Sequence, residues 1–290
     1  MKYTDSHCHL DDNCFSTQLP ELLSQCKLRN ISRIIIPSIS PDNFQRVLTL
    51  TKQYHQRPIE LFCTLGIHPW FLKHLTLNDL EKLNQLITKE KHNIIGVGEI
   101  GLDGATSKHA VQFGQTPEEN FEQQQRFFEY QLDLANKNEL PVIIHHRQSH
   151  QHIVPFLRQY QLAKSGIIHG FTGSYQQAKD YLDLGFKLGI GSSISFSRAK
   201  KTINTVKRLP IESLVLETDA PSMPLSSEVL SPIDNTFTQN NSSKPPANSP
   251  LNIPVIFELL VNVTGIAPEV LAIQLEENVN KVFFTKDSTI

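Results

Sequence analysis

Two histidines separated by a single residue stand near the start of the chain, in the run Asp5-Ser6-His7-Cys8-His9. Side chains alternate between the two faces of an extended chain, so His7 and His9 point the same way and Cys8 points the opposite way. Two imidazoles side by side at the end of a strand can bind one divalent metal ion. On this motif alone, a polar tail that carries two histidines by chance is an equal alternative.

Residues of the same chemical kind follow other short apolar runs along the chain. The further candidates are Glu99, His145-His146, His169 and the acidic segment Glu217-Thr218-Asp219. With the first pair, and counting one residue each from His145-His146 and Glu217-Thr218-Asp219, they supply four histidines and two carboxylates, which exceeds the ligand number of one tetrahedral ion. The set suits two divalent ions, and a carboxylate such as Glu99 could bridge them. At the fifth run, strand alternation leaves His145 and His146 nearly equal as candidates.

Alternating strands and helices must hold these residues. Apolar runs predict eight strands at residues 2–5, 33–37, 61–67, 94–98, 142–145, 166–169, 187–190 and 214–217. Segments of helical periodicity predict eight helices at 20–29, 41–54, 77–89, 118–138, 153–160, 175–184, 198–207 and 253–263, with a further helix at 268–284. Eight strands alternating with eight helices predict an α/β fold, a (β/α)₈ TIM barrel. A doubly wound open sheet would also alternate, so the count alone leaves closure open.

Length and connections indicate a single domain over residues 1–290, because barrels of this kind commonly have this size. Two connections are unusually long, at residues 101–117 and 220–252. They follow the fourth and eighth strands, on the face where barrel active sites lie, and loops of this length are often functional. In a barrel, all the candidate ligands would converge on that same face.

Composition limits the classes of function. The 27 basic and 29 acidic side chains give a net charge of −2, which is not typical of a protein that coats nucleic acid. A nucleic-acid substrate would therefore be held locally. The four cysteines (Cys8, Cys14, Cys26 and Cys63) form no C-x-x-C pair, and we expect free thiols in a reducing compartment. The N-terminus lacks the apolar core of a signal peptide, and no run reaches membrane-span length. We expect a cytoplasmic monomer with no membrane partner.

Six sequence blocks resemble the motifs of the TatD family of metal-dependent hydrolases, and are most similar to its YjjV-like branch. The blocks lie at residues 5–9, 66–69, 98–103, 141–147, 169–173 and 217–221, in family order along nearly the whole chain. The resemblance implies a (β/α)₈ barrel with a one- or two-metal site, and tested family members include Mg-dependent DNases. Carried over by position, it implies these metal ligands: His7, His9, Glu99, His145, His169 and Asp219. It also selects His145 over His146.

The chemistry implied is hydrolysis by a metal-activated water. Two divalent ions opposed by two carboxylates would leave about two surplus positive charges for an anionic substrate such as a phosphodiester. The ions (Zn, Mg or Mn) would lower the pKa of a bound water toward about 7. Asp219 is the candidate general base, and Glu99 the bridging carboxylate. We expect Arg147 and His68 to contact the substrate phosphate; the alternatives are a salt bridge for Arg147 and a hydrogen-bonded rim position for His68.

The predicted function is a deoxyribonuclease or exonuclease that cleaves phosphodiesters of single-stranded DNA or RNA, its transient partner. The alternative is a metal-dependent hydrolase of carboxylic esters or amides, such as a D-aminoacyl-tRNA deacylase, because an activated water attacks carbonyl carbon and phosphorus alike. The chain departs from the family pattern at Trp70, where many members have a second histidine, and at Ala247, where arginine or lysine is common. We therefore expect a substrate preference that differs from that of better-known family nucleases.

Overall fold

Eight parallel strands pair in chain order in the computed structural model, which describes residues 1–54, 59–110, 114–229 and 247–285. The strands are β1 (Tyr3–Asp5), β2 (Ile31–Pro37), β3 (Glu60–Leu65), β4 (Gly96–Asp103), β5 (Val142–Arg147), β6 (Gly166–Ile168), β7 (Lys187–Ile190) and β8 (Leu214–Leu216). Strands buried on both faces, with helices between them, form a (β/α)₈ barrel. The predicted fold class is confirmed.

Backbone hydrogen bonds join the ends of the first and last strands. The Ser6 amide donates to the Leu216 carbonyl at 2.9 Å, and the His9 amide donates to the Ala220 carbonyl at 2.8 Å. Between them, Asp219 donates its amide to the carbonyl of His7 at 2.8 Å. These bonds close the sheet at its C-terminal mouth, which distinguishes the barrel from the open doubly wound sheet. They also bring the first and last candidate ligands together.

Helices cover the outside of the barrel at each predicted place. The α-helices are α1 (Asn13–Ser16), α2 (Leu19–Leu28), α3 (Phe44–Gln53), α4 (Leu77–Glu90), α5 (Gly104–Ser107), α6 (Pro117–Asn138), α7 (His150–Tyr160), α8 (Tyr175–Leu182), α9 (Lys200–Val206), α10 (Ile253–Thr264) and α11 (Pro268–Phe283). Helix α6 has a proline in its first turn and a capping box in which Thr116 and Glu119 cap each other's amides. The short helices α1 and α5 were not predicted, since a single turn carries no periodicity.

Strand β4 differs most from its prediction at residues 94–98. It continues to Asp103, so Glu99 lies inside the strand rather than after it. The pairing with β5 shifts register between Val97 and Ile100, and the Gly98–Glu99 peptide is cis. The predicted long loop at 101–117 is correspondingly shorter, because it begins with strand and includes α5. Of the other predicted loop, 220–252, residues 230–246 lie outside the described part of the chain, as do 111–113 of the first.

The barrel strands bury apolar side chains on both faces. Ile34 and Ile36 of β2 belong to the large core between the strands and helices, whereas Ile35 belongs to a second cluster. That second cluster contains one residue from each of four strands together with Val279 of α11: Ile35, Ile143, Ile167, Val215 and Val279. Strand alternation therefore places the four strand residues of this cluster inside the barrel. Fully burying each such side chain stabilises the fold by about 1.5–3 kcal/mol.

No single helix within the described ranges is long and apolar enough to span a membrane. Only the consecutive segments Pro250–Thr264 and Pro268–Phe283 reach the required length and composition together, and the chain bends by 113° between them.

Gly101 is the glycine of β4 on which the packing against β5 most depends. Its φ is 143°, and an added Cβ would lie 2.1 Å from the backbone oxygen of His145.

We expect Gly101→Ala to lower the free energy of unfolding by at least about 3 kcal/mol, since neither backbone can move without breaking the sheet. Gly265→Ala is the matched control: its φ is 69°, and nothing described lies within 4 Å of the added Cβ. Its cost should be about 1–2 kcal/mol. Urea denaturation measures both, and equal costs would refute the steric argument.

Candidate metal centre

The six predicted ligands come together at the C-terminal mouth of the barrel. His7 and His9 follow β1, Glu99 and His145 lie in β4 and β5, and the last two follow β6 and β8. All are buried or nearly so: the side chains of His145 and His9, the more exposed histidines, are 12% and 16% exposed. The structure thus assembles residues from five strands into one polar cluster. Their role as metal ligands stays a prediction.

One group of atoms, which we name the His7 cluster, contains Nε2 of His7 and His9, Oε2 of Glu99 and Oδ1 of Asp219. The two nitrogens lie 3.3 Å apart. Glu99 Oε2 lies 3.3 Å from the first nitrogen and 3.4 Å from the second. Asp219 Oδ1 lies 3.5 Å from each. Each nitrogen therefore lies within 3.5 Å of the other nitrogen and of one oxygen from each carboxylate.

A second group, the His145 cluster, forms around the other oxygen of the same glutamate. Glu99 Oε1 lies 2.8 Å from His169 Nε2 and 3.2 Å from His145 Nδ1. These two nitrogens are 3.1 Å apart. Each oxygen of Glu99 thus belongs to a different cluster. This is the arrangement expected of a carboxylate that bridges two cations.

The spacing of these atoms fits divalent ions. A tetrahedral ion with ligands at about 2.1 Å has ligand–ligand separations of about 3.4 Å. In the His7 cluster, the separation between the two nitrogens and those from each nitrogen to each oxygen are 3.3–3.5 Å. An octahedral ion at the same ligand distance has separations of about 3.0 Å, and those in the His145 cluster are 2.8–3.2 Å. The donor set also fits, because imidazole and carboxylate bind Zn, Mn and related ions.

Electrostatics keep the carboxylates ionised. Burial alone would raise the pKa of Glu99, but the charges of the surrounding histidines hold it well below its usual range. Burial also opposes ionisation of Asp219, whose pKa is lowered chiefly by a hydrogen bond from His9. Conversely, burial alone would lower the pKa of His169, yet the charge of Glu99 raises it to about 9. His169 is therefore protonated at neutral pH, whereas burial lowers the pKa of His7 to about 4 and keeps that ring neutral.

His68 contacts the shared carboxylate of Glu99. It is 4% exposed, and its Nδ1 accepts a hydrogen bond from the backbone amide of Trp70 at 3.0 Å. In a neutral imidazole the proton must then lie on Nε2, which is 3.2 Å from Glu99 Oε1. His68 therefore donates to Glu99 and fixes the orientation of its carboxylate. It also lines the cavity above the cluster, so a substrate contact stays a prediction.

Asp103 orients the other side of the His145 ring. Its Oδ2 lies 3.1 Å from His145 Nε2 and accepts a hydrogen bond from the indole of Trp70 at 2.6 Å. Burial opposes ionisation, but the hydrogen bond from His145 is the main influence that holds the pKa of Asp103 well below its usual range. The carboxylate therefore keeps the imidazole proton on Nε2 and leaves Nδ1 free to bind a cation.

The two residues that follow His145 on β5 lie in different surroundings. The ring of His146 stacks against Phe171, with centroids 5.8 Å apart, and faces Tyr181 edge-on. The structure thus places His145, not His146, beside Glu99. Arg147 is exposed and lines the cavity, and its guanidinium has no salt bridge or hydrogen bond within the described ranges.

Three buried carboxylates beside the cluster were not assigned a role from the sequence. Asp5 accepts hydrogen bonds from the amide and hydroxyl of Thr218, at 3.0 and 2.6 Å, and so joins β1 to the loop after β8. Glu217 accepts from the Gly170 amide, and burial raises its pKa to about 8. Asp103 is the third. Strand alternation could have identified these carboxylates from the sequence, because each lies an even number of residues from a predicted ligand and so on the same face. The pairs are Asp5 with His7, Asp103 with Glu99, and Glu217 with Asp219.

A cavity of about 600 Å³ opens above the two clusters. Glu99 and Asp219 form part of its floor. Its upper wall combines two arginines with apolar and aromatic side chains: Ile39, Arg46, Trp70, Phe71, Arg147 and Met223. The cavity is large enough for a nucleotide-sized ligand whose anionic part reaches the floor.

A protein family matches nearly the whole chain. The family described as "TatD related DNase" matches residues 4–284. The chain belongs to the TatD related DNase family. It is 39% identical over 225 residues to the Escherichia coli metal-dependent hydrolase YjjV. The matched segment covers 78% of this chain and 82% of that relative. The chain is 28% identical over 285 residues to human deoxyribonuclease TATDN3, covering 96% and 93% of the two chains. The crystal structure of E. coli YjjV superposes with a TM-score of 0.83 at 34% identity, covering 98% of each chain.

Metal affinity of this TatD protein should rise with pH. Because the pKa of His169 is raised to about 9, the metal-free site is protonated at pH 7 and must lose protons when an ion binds. We expect Zn²⁺ or Mn²⁺ affinity to rise between pH 6 and 9, by up to about tenfold per pH unit for each proton released. Titration calorimetry in two buffers of different ionisation enthalpy measures the affinity and counts the protons. An affinity that does not change with pH would contradict the assignment.

Asp103→Asn should weaken the same TatD metal centre without touching a predicted ligand atom. Its carboxylate oxygens accept from His145 and Trp70 on one side and from the amides of Ala105 and Thr106 on the other, the latter two at 2.8 Å. An amide group places a donor against one of these donors. We expect metal affinity to fall about 10- to 100-fold, measured by calorimetry. Asp183→Asn, an exposed carboxylate on the surface, is the control and should bind as the parent does.

Proposed function

We propose that this TatD-family metal-dependent hydrolase cleaves phosphodiester bonds of single-stranded DNA or RNA, as an exonuclease. The observation that carries the proposal is the shared carboxylate of Glu99, with one oxygen in each of two donor clusters. Two cations held side by side suit in-line displacement at phosphorus, because they stabilise the attacking and the leaving oxygens together. The name of the human relative, a deoxyribonuclease, supports the same substrate class.

Divalent ions bound by the two clusters would supply Lewis acidity and a water of lowered pKa. Asp219 would accept the proton of such a water. Its carboxylate is ionised, 13% exposed and part of the cavity floor. Since Oδ1 belongs to the His7 cluster, the other oxygen remains available as a general base.

Arg147 is suited to hold the phosphate of the substrate. Its guanidinium lines the cavity at the end of β5, two residues beyond His145, and within the described residues no carboxylate neutralises it. A planar guanidinium can grip two oxygens of one phosphate. His68 and Asp103 act behind the reactive centre: the first orients Glu99, the second orients His145.

Asp219→Asn tests the proposed function. The assay supplies single-stranded DNA, single-stranded RNA and aminoacyl-tRNA, each with Mg²⁺, Mn²⁺ and Zn²⁺. We expect the parent to cleave at least one single strand, and the variant to lose about 10²- to 10⁴-fold in kcat, because the amide accepts no proton. Asp183→Asn should keep full activity, since its side chain is 61% exposed at the surface. Deacylation without cleavage of either nucleic acid would favour the carboxylic-ester hydrolase instead.

A further inference from the structure

Trp70 stands on the wall of the same cavity whose floor contains the two clusters. It is the only tryptophan of the chain, and 47% of it is exposed. Phe71 beside it is 41% exposed, so two adjacent aromatic side chains face solvent at this mouth. The centroids of the Trp70 and His145 rings are 5.9 Å apart. The indole is therefore separated from the shared carboxylate of Glu99 by the width of one imidazole.

Two hydrogen bonds hold Trp70 in place. Its indole Nε1 donates to the buried carboxylate of Asp103 at 2.6 Å, and its backbone amide donates to His68 Nδ1 at 3.0 Å. Pro69 precedes it in a short 3₁₀ turn, which restricts the backbone further. Both N–H groups are thus satisfied on the protein side. A ring fixed in this way loses little conformational entropy when a ligand binds.

Among the residues that the structure describes, no aromatic ring lies parallel to the indole. The rings of His68 and His145 meet it at 83° and 72°, in T-shaped contacts. No other ring in the part of the chain described here makes an aromatic contact with it. A flat, preordered and half-exposed indole above a hydrolytic centre is a surface suited to a second flat aromatic group.

We propose that Trp70 stacks against the nucleobase next to the scissile phosphate. The inference rests on the proposed nuclease function and specifies how the single strand is held. Bases of a single strand are free to leave their neighbours and stack on aromatic side chains, independently of sequence. A base on Trp70 would bring its phosphate toward Arg147 and the cluster floor, which line the same cavity. Trp70 is then a determinant of specificity for single-stranded nucleic acid.

Fluorescence of the sole tryptophan gives a readout that does not depend on turnover. The parent protein is titrated with an oligothymidylate and with an abasic oligomer that has the same number of phosphates. We expect saturable quenching by the first, and at least about tenfold weaker binding of the second, because it has no base to stack. Equal affinity for both oligomers would overturn the inference.

Kinetics separate stacking from the hydrogen bond to Asp103. We expect Trp70→Leu to raise KM for the oligothymidylate about tenfold or more, with the change falling on KM rather than on kcat. Trp70→Phe keeps a ring but loses the N–H donor, so it should recover most of the affinity. Tyr130→Leu, an aromatic change on α6 outside the cavity, is the matched control and should keep the parent KM.

The outcomes distinguish the two proposals. Cleavage of thymidylate and abasic oligomers with equal KM would refute the stacking and leave the nuclease function standing. If Trp70→Phe were as impaired as Trp70→Leu, Trp70 would act through Asp103, and the stacking would also be refuted. If neither oligomer were cleaved with any of the three ions, the nuclease function itself would fall, and the inference with it.

Discussion

The buried carboxylate of Glu99 is the group on which the geometry of the whole site depends. It is 2% exposed, and a lone negative charge at such a depth is costly unless it is compensated. Five imidazole nitrogens provide that compensation at 2.8–3.4 Å, divided between its two oxygens: His7, His9, His68, His145 and His169. These histidines come from four different strand ends. One charge therefore draws separate parts of the barrel mouth into a single arrangement.

Strand alternation explains how the same backbone supplies both a stable core and a reactive mouth. Ile143, Ile167 and Val215 fill the inside of the barrel. Two residues further along, on the same face, stand His145, His169 and Glu217. The inward face thus changes from apolar to polar within one alternation step, at the level where the strands end. Packing of the interior fixes the height and direction of the polar side chains above it, which is why distant sequence positions meet with distances near 3 Å.

The sequence predicted those parts of the molecule that local patterns determine. Apolar runs followed by histidine or carboxylate marked the strand ends, and seven strands occur close to the predicted residues. The extended β4 was missed because its Glu99 interrupts the apolar run and its register shifts there. The contacts of His68 and Asp103 were missed for another reason. They join residues 31 and 42 positions apart across the barrel mouth, and such contacts depend on tertiary packing rather than on any local periodicity.

The floor of the cavity and its upper wall, here called the rim, differ in their chemistry. The floor consists of imidazoles and carboxylates, and an activated water placed there attacks phosphorus or carbonyl carbon alike. Discrimination between esters must therefore come from the rim. There the chain places Arg147, which has no acidic partner among the described residues, and an indole anchored by Asp103. The anchor also couples the two levels, because one oxygen of Asp103 contacts both Trp70 and His145. Asp103 thus holds the indole at the rim and the imidazole on the floor in one arrangement, and this fixes where a group bound at the rim stands relative to the floor.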